Sequence, residues 1–253
     1  MAVLVPVLIG LSIFGGFGWR PGLVLAPILA VPVLAVWSRG LEIPEPRRVA
    51  TSVRGSLTPA YWAYWATLVL VVSVEFCMIY WTTAFFRTVF GLDPALAAGA
   101  LTLFLLGMLV GSAAGGRIAL RWPPTSIVPA ALLLAGLGFA VFWLSPVAAV
   151  SLVAVSFTGL GVASLYPMTL GLAVGAALET TDLATSRAAL ASGSAVLAGP
   201  LLLAALADAL GISIAFAIVP VLLALAWASL SVARRLSAAA VLARVPSAGL
   251  DGR

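Results

Sequence analysis

Apolar positions in this chain do not alternate with polar ones. They run on for membrane-length stretches, broken only by short polar or proline-bearing connections. Eight stretches, near 2–18, 22–38, 59–86, 94–116, 125–144, 146–178, 187–208 and 212–233, are each long enough for a helix to cross the hydrocarbon, which is about 30 Å thick and takes about 17 residues or more. Strands of a membrane barrel alternate over about ten residues, so continuous runs predict helices, the other way to satisfy backbone groups in lipid. The expected fold is an all-α polytopic membrane protein with eight transmembrane helices. Three starts are marked by an N-cap residue ahead of proline at the first helical position: Thr58-Pro59, Asp93-Pro94 and Ser145-Pro146.

Composition agrees and adds a direction. With 63% hydrophobic and 8% charged residues, the chain cannot be a soluble domain, in which about a quarter of residues are charged. The first stretch lacks a basic leader, and Trp19-Arg20-Pro21 is no small-residue cleavage site, so it reads as a mature span and not a signal peptide. All thirteen basic residues are arginine. They are scattered along loops without interleaved aromatics, so nucleic acid is not an expected partner. Threading eight spans gathers Arg39, Arg47, Arg48, Arg54, Arg117, Arg121, Arg187, Arg234, Arg235, Arg244 and Arg253 on one side, with Arg20 and Arg87 opposite. The positive-inside rule then predicts a multi-pass protein of the cell (inner) membrane with both termini cytoplasmic. Trp19, Trp37, Trp62, Trp65, Trp122 and Trp143, with Tyr61 and Tyr64 beside them, read as interface anchors. Cys77, the single cysteine, lies inside the third span and reads as a small packing residue.

One long polar connection, 39–57, is rich in proline and charge. It divides two helices (1–38) from a six-helix unit (58–236), which a cytoplasmic tail (237–253) follows. Val5-Pro6-Val7-Leu8 is similar to Gly199-Pro200-Leu201-Leu202, and Gly18 with Pro27-Ile28-Leu29 to Gly211 with Pro220-Val221-Leu222. Spans one and two therefore look like duplicates of spans seven and eight, the alternative being chance likeness between proline-bearing apolar helices. A parallel repeat of this period holds six helices, so the counterparts of spans three to six would precede residue 1.

Three local features carry a family resemblance. The segment Gly107 to Arg121 ends in Gly116-Arg117-Ile118-Ala119-Leu120-Arg121, which resembles a G-x-L-A-D-R loop motif at Gly116, Ala119 and Arg121, with Leu120 in place of the acidic residue. Gly159-Leu-Gly161 through Tyr166-Pro167 is a glycine-rich helix with a late proline, and Ala198-Gly199-Pro200 leads to Asp208 and Gly211. With the topology and the repeat, these resemble the major facilitator superfamily, built from two six-helix bundles joined by a long cytoplasmic loop. The resemblance implies a partial fold truncated at the N-terminus: helices five to twelve, the central loop, and a complete C-terminal six-helix bundle. It also implies that Gly116, Arg117 and Arg121 belong to a conformational loop motif whose charge-based latch is weakened by Leu120. Read from spacing alone, Gly107, Gly111 and Gly115 line one helix face and let backbones approach closely, and Gly171 with Gly175 read the same way.

Glu75 is the only acidic or basic side chain in the middle of a span. A charge there costs about 2.5–3.5 kcal/mol on insertion scales, so such a residue usually has a task. A helical projection groups Leu68, Val71, Val72, Glu75, Met78, Ile79, Thr82 and Phe86 on one face, expected to look into a bundle interior or a water-filled cavity. On the sixth span Ser151, Thr158, Leu165 and Thr169 recur at helical spacing beside Phe157 and Tyr166. Interhelical hydrogen bonding accounts for them; on a functional reading, Thr158 and Tyr166 are the solute contacts. The candidate proton-coupling or substrate-binding residues are thus Glu75, Met78, Thr82, Thr158 and Tyr166. Glu75 has four readings: a proton-exchanging carboxyl, a direct contact to a cationic or hydroxyl-rich solute, an ion pair with a basic residue outside the chain, or a neutral structural hydrogen-bonding group.

The expected function is secondary active transport of a small solute by alternating access, coupled to protons, with the lipid bilayer and a small-molecule substrate as partners and no cofactor or metal. The alternative is a truncated, non-transporting remnant or partner subunit that needs a missing N-terminal segment or another polypeptide to complete the cavity. No enzyme is expected. There is no histidine, Cys77 is in a span, and Glu75 has no second carboxylate near it in sequence. A channel is not expected either, since no filter motif or acidic pore ring is visible.

Overall fold

The computed structural model describes residues 56–177 and 180–242, together with Val24, Ile28 and Val31, which are helical and exposed. The predicted span 2–18, the rest of 22–38, nearly all of the 39–57 connection, the first copy of the repeat and the end of the 237–253 tail lie outside the described residues. What is described is all-α: α1 (Pro59–Val89), α2 (Pro94–Ile118), α3 (Pro124–Leu144), α4 (Ala148–Val162), α5 (Leu165–Ala176), α6 (Thr181–Leu210), α7 (Ile212–Ala215) and α8 (Ile218–Leu242). With α4–α5 and α7–α8 each counted as one crossing, six helices are long and apolar enough to span a membrane.

Two of the three predicted starts are as expected. Thr58 Oγ1 accepts from Tyr61 N at 3.1 Å, and Asp93 Oδ1 accepts from Ala95 N at 2.9 Å and Leu96 N at 3.2 Å, so each side chain satisfies first-turn amides ahead of its proline. Ser145-Pro146 is not a start. Ser145 ends α3, its N–H donating to Val141 O at 3.1 Å, and its hydroxyl accepts from Val147 N at 3.1 Å, which shapes a turn and delays α4 to Ala148. Two spans expected to be continuous are broken, at Ala163–Ser164 and at Phe216–Ala217. Each break begins four residues before a proline, Pro167 and Pro220, whose missing N–H cannot bond the Ala163 or Phe216 carbonyl. Phe216 O instead accepts from Val219 N at 3.0 Å. The last helix continues past residue 236 to Leu242.

The central helix is α1, which packs on α2, α5, α6 and α8, while α4 lies between α2 and α3. Side-chain to main-chain bonds tie the start of α1 to its neighbours. Thr58 Oγ1 donates to Ala176 O at 2.8 Å, Tyr61 OH to Ala184 O at 2.8 Å, Trp65 Nε1 to Arg187 O at 2.9 Å, and Ser229 Oγ to Ala63 O at 2.7 Å. Tyr61 and Tyr64 are therefore core residues, both buried, while Trp62 and Trp122 remain exposed as anchors would. Tyr61→Phe is expected to lower stability in detergent by about 1 kcal/mol, the typical worth of one such bond. Thermal unfolding measures it, and an unchanged midpoint would mean the Ala184 carbonyl is satisfied by its own helix alone. At the far end of α1, Phe85 meets Phe142 and Phe216 with ring centroids 4.8 and 4.7 Å apart, and Phe139 stacks on Phe216 at 6.3 Å. These buried rings seal that end of the bundle.

Glycine lets α4 seat deeply. A Cβ at Gly107 would collide with the Ser156 carbonyl oxygen, one at Gly111 with the Leu160 carbonyl oxygen, and one at Gly159 with the Phe104 carbonyl oxygen, so α2 and α4 interlock backbone to backbone. On the other side a Cβ at Gly161 would lie 2.8 Å from Ala131 O, and one at Gly138 would lie 2.7 Å from Thr158 N. Gly171 and Gly175 behave differently: no atom lies within 4 Å of an added Cβ, so they make no such helix contact and line a cleft instead.

Candidate functional site

Along the middle of α1 the chain is enclosed on most sides. Val71, Val72, Ser73, Val74, Cys77, Met78 and Thr82 are all buried. At the far side of the helix from Glu75, a Cβ at Gly199 of α6 would sit 2.8 Å from Ser73 Cβ, which marks a tight α1–α6 crossing. The enclosure opens on one strip. Glu75, Phe76 and Ile79 are half-buried and Tyr80 is 58% exposed, four residues at i, i+1, i+4 and i+5 and hence on adjoining parts of one face. Leu68 and Val72 below Glu75 and Thr82 and Phe86 above it are buried, so the carboxyl sits where an otherwise covered face comes open.

Beside the strip, Leu68 and Val72 of α1 form a small cluster with Ala191 and Ala195 of α6, against which Phe76 of α1 and Tyr166 and Leu170 of α5 pack. Tyr166 is half-buried. The Phe76 and Tyr80 rings lie 6.0 Å apart. Among the described residues the Glu75 carboxyl makes neither a hydrogen bond nor an ion pair. It is thus a polar group between apolar and aromatic side chains, with part of its surface still accessible.

The other sequence-derived candidates sit elsewhere. Met78 is fully buried in the main core, and Thr82 is buried with its hydroxyl donating to Met78 O at 2.6 Å. Thr158 is fully buried in the α3–α4 seam, its hydroxyl donating to Ala154 O at 3.0 Å. Ser151 bonds Phe142 O at 2.9 Å, as interhelical hydrogen bonding would have it. Thr169 differs: it is fully buried and its hydroxyl has no partner among the described residues. The structure therefore brings Glu75 and Tyr166 to one side of the bundle and leaves Met78, Thr82 and Thr158 in packed interior positions. Ile79 was on the face projected from the sequence without being a site candidate, and Phe76 and Tyr80 were not on it. The signal that could have found Phe76 and Tyr80 is their i+1 and i+5 spacing from Glu75, which extends the face sideways and not along the helix.

The loop-motif residues lie at the opposite end of the bundle from the aromatic seal. Gly116 and Arg117 close α2, Arg121 follows in the turn with its N–H donating to Ile118 O at 2.9 Å, and all three are exposed. Leu120 is 86% exposed, and among the described residues neither arginine forms an ion pair. Among the described residues no group of three or more His, Cys, Asp or Glu side chains converges to hold a metal. No protein-family model matches this chain, and no curated protein matches it in sequence.

Proposed function

We propose that α1–α8 form one half of a secondary transporter of the major facilitator type, which moves a small solute by alternating access and couples that movement to protons through Glu75. The observation that carries the reading is the position of Glu75, a half-buried carboxyl without a hydrogen bond or ion pair among the described residues, where the face of the central helix opens between buried residues below and above it. If that strip faced lipid, a charged Glu75 would bear an insertion penalty of about 2.5–3.5 kcal/mol; against a cavity shared with a second bundle it does not. Tyr166 and Phe76 then supply an aromatic flank for the solute. The two proline breaks support the same reading, because interrupted helices are where transporters of this kind place mobile or coordinating backbone.

The charge distribution supports an orientation. Arg117, Arg121, Arg187, Arg234 and Arg235 belong to helix ends on one side, with Arg87 at the other, and the positive-inside rule makes the arginine-rich side cytoplasmic. The test is reconstitution of the full chain in liposomes carrying an internal pH dye, challenged with panels of organic cations, sugars, amino acids and organic anions under an imposed pH gradient. At least one solute is expected to dissipate the gradient faster than in protein-free liposomes. Silence across every panel, from protein shown to be folded and inserted, would overturn transport and leave the non-transporting alternative.

A further inference from the structure

Away from Glu75, at the arginine-rich end, two adjoining clefts share Tyr64, Thr125 and Ser237. The inner one, about 480 Å³, runs between the start of α1, the end of α5 and the end of α8, and is walled mainly by Gly171, Leu172, Gly175, Ala176 and Leu236. Its glycines open it, since no atom lies within 4 Å of a Cβ added at either position. The outer one, about 620 Å³, is the more polar of the two and holds Ser231, Arg234 and Arg235. Both arginines are exposed, and among the described residues neither has a hydrogen bond or an ion pair. Where the two clefts meet, Ser237 Oγ is buried without a hydrogen-bond partner among the described residues.

We propose that this composite cleft binds an anionic phospholipid, with the phosphodiester held by Arg234 and Arg235, the Ser237 hydroxyl donating to a head-group oxygen, and one acyl chain laid along Gly171 and Gly175. Guanidinium groups match phosphate oxygens in charge and in hydrogen-bond geometry. Basic pockets between membrane helices at the cytoplasmic interface are suited to anionic head groups. A soluble phosphate would leave the apolar inner cleft unfilled, and a zwitterionic lipid would set its own cation beside two arginines. A lipid with a net negative head satisfies both halves at once. This site is separate from the Glu75 strip, and its test needs no transported solute.

The full chain, purified in detergent and offered equal amounts of phosphatidylglycerol and phosphatidylcholine, is read by native mass spectrometry. Phosphatidylglycerol is expected to be retained over phosphatidylcholine by about tenfold, as a two-arginine phosphate contact would allow. Arg234→Gln with Arg235→Gln should bring the two lipids to parity, while Arg234→Lys with Arg235→Lys should keep part of the selectivity, because the charge remains and the forked hydrogen-bond geometry is lost. Gly175→Leu should reduce retention of phosphatidylglycerol with thermal unfolding of the lipid-free protein unchanged, which separates a filled groove from a misfolded bundle. If the glutamine pair does not assemble, the lysine pair and Gly175→Leu decide. Equal retention of both lipids by the unaltered protein, selectivity that survives the glutamine pair, or phosphatidylglycerol retention that Gly175→Leu leaves unchanged, would overturn the proposal. Displacement of the lipid by free sn-glycerol 3-phosphate at millimolar concentration would overturn it in favour of a soluble phosphate ligand. So would a dimer in place of the lipid adduct, in favour of a second copy of the chain.

Discussion

Glu75→Gln is expected to reduce solute-driven proton movement to the level of empty liposomes while the bundle stays folded. Glutamine has nearly the shape of glutamate and keeps a polar end at the opening of α1, but it cannot take up or release a proton. Because Glu75 is half-buried and makes no hydrogen bond or ion pair among the described residues, its replacement breaks no polar contact that they provide. Stability should therefore hold or rise, with an upper bound of about 2.5–3.5 kcal/mol set by the insertion cost of the charge. The readings of Glu75 separate on what survives. If it couples protons, Glu75→Gln still exchanges labelled solute across liposomes with no pH gradient, and loses only uphill accumulation. If it contacts the solute directly, exchange and accumulation fall together. If it is structural, neither changes, and proton coupling through this residue is wrong.

The second large effect is expected in the α2–α4 seam. Gly159→Ala alone places a methyl group against the Phe104 carbonyl, where the obstructing atoms are main chain and cannot swing aside. Overpacking of this kind typically costs about 1–3 kcal/mol. Gly159→Leu should go further and drive the two helices apart, because Gly107 and Gly111 face α4 backbone from the other side and leave no slack. The expected outcome is aggregation or an early-unfolding species on size-exclusion chromatography and thermal melting in detergent. Gly175→Leu, also at a glycine within a helix, sets its Cβ where no atom lies within 4 Å and extends into the cleft, so it should melt like the unaltered protein or slightly above it, since leaving glycine favours a helix by about 0.8–1 kcal/mol. Equal damage at both positions would show that glycine flexibility matters here and that close backbone approach does not.

The contrast between those two glycine sets shows where the sequence is informative. Gly107, Gly111 and Gly115 recur every four residues and do line a contact, and Gly171 with Gly175 have the same spacing and do not. Spacing says that residues share a helix face, and nothing in it says whether another helix covers that face. The helix starts divide in the same way. Thr58 and Asp93 cap as read because the capping bonds are made within the next few residues. At Ser145 the hydroxyl bonds Val147, and the turn it shapes moves the start of α4 to Ala148. Pro167 and Pro220 were visible in the sequence, yet the spans carrying them were read as unbroken, although each removes the amide that would have closed the turn four residues earlier.

Lipid-spanning character, helical class and the approximate limits of the six described spans follow from the sequence by itself, because transfer of a segment into hydrocarbon is set by its local composition and length, and the cost of an unpaired peptide group there then makes the segment a helix. The sequence also isolated Glu75 as the one charge in the middle of a span. Only the tertiary structure decided that the face around it is covered above and below and open at Glu75, Phe76, Ile79 and Tyr80, and that Thr82 and Thr158 turn their hydroxyls to their own helices. It likewise decided that Arg234 and Arg235 share a cleft with Ser237 and two uncovered glycines. The physical reason is that periodicity places side chains around one helix axis, whereas exposure at any point on that helix depends on which neighbours reach it, and those contacts join residues more than a hundred positions apart, such as Thr58 with Ala176.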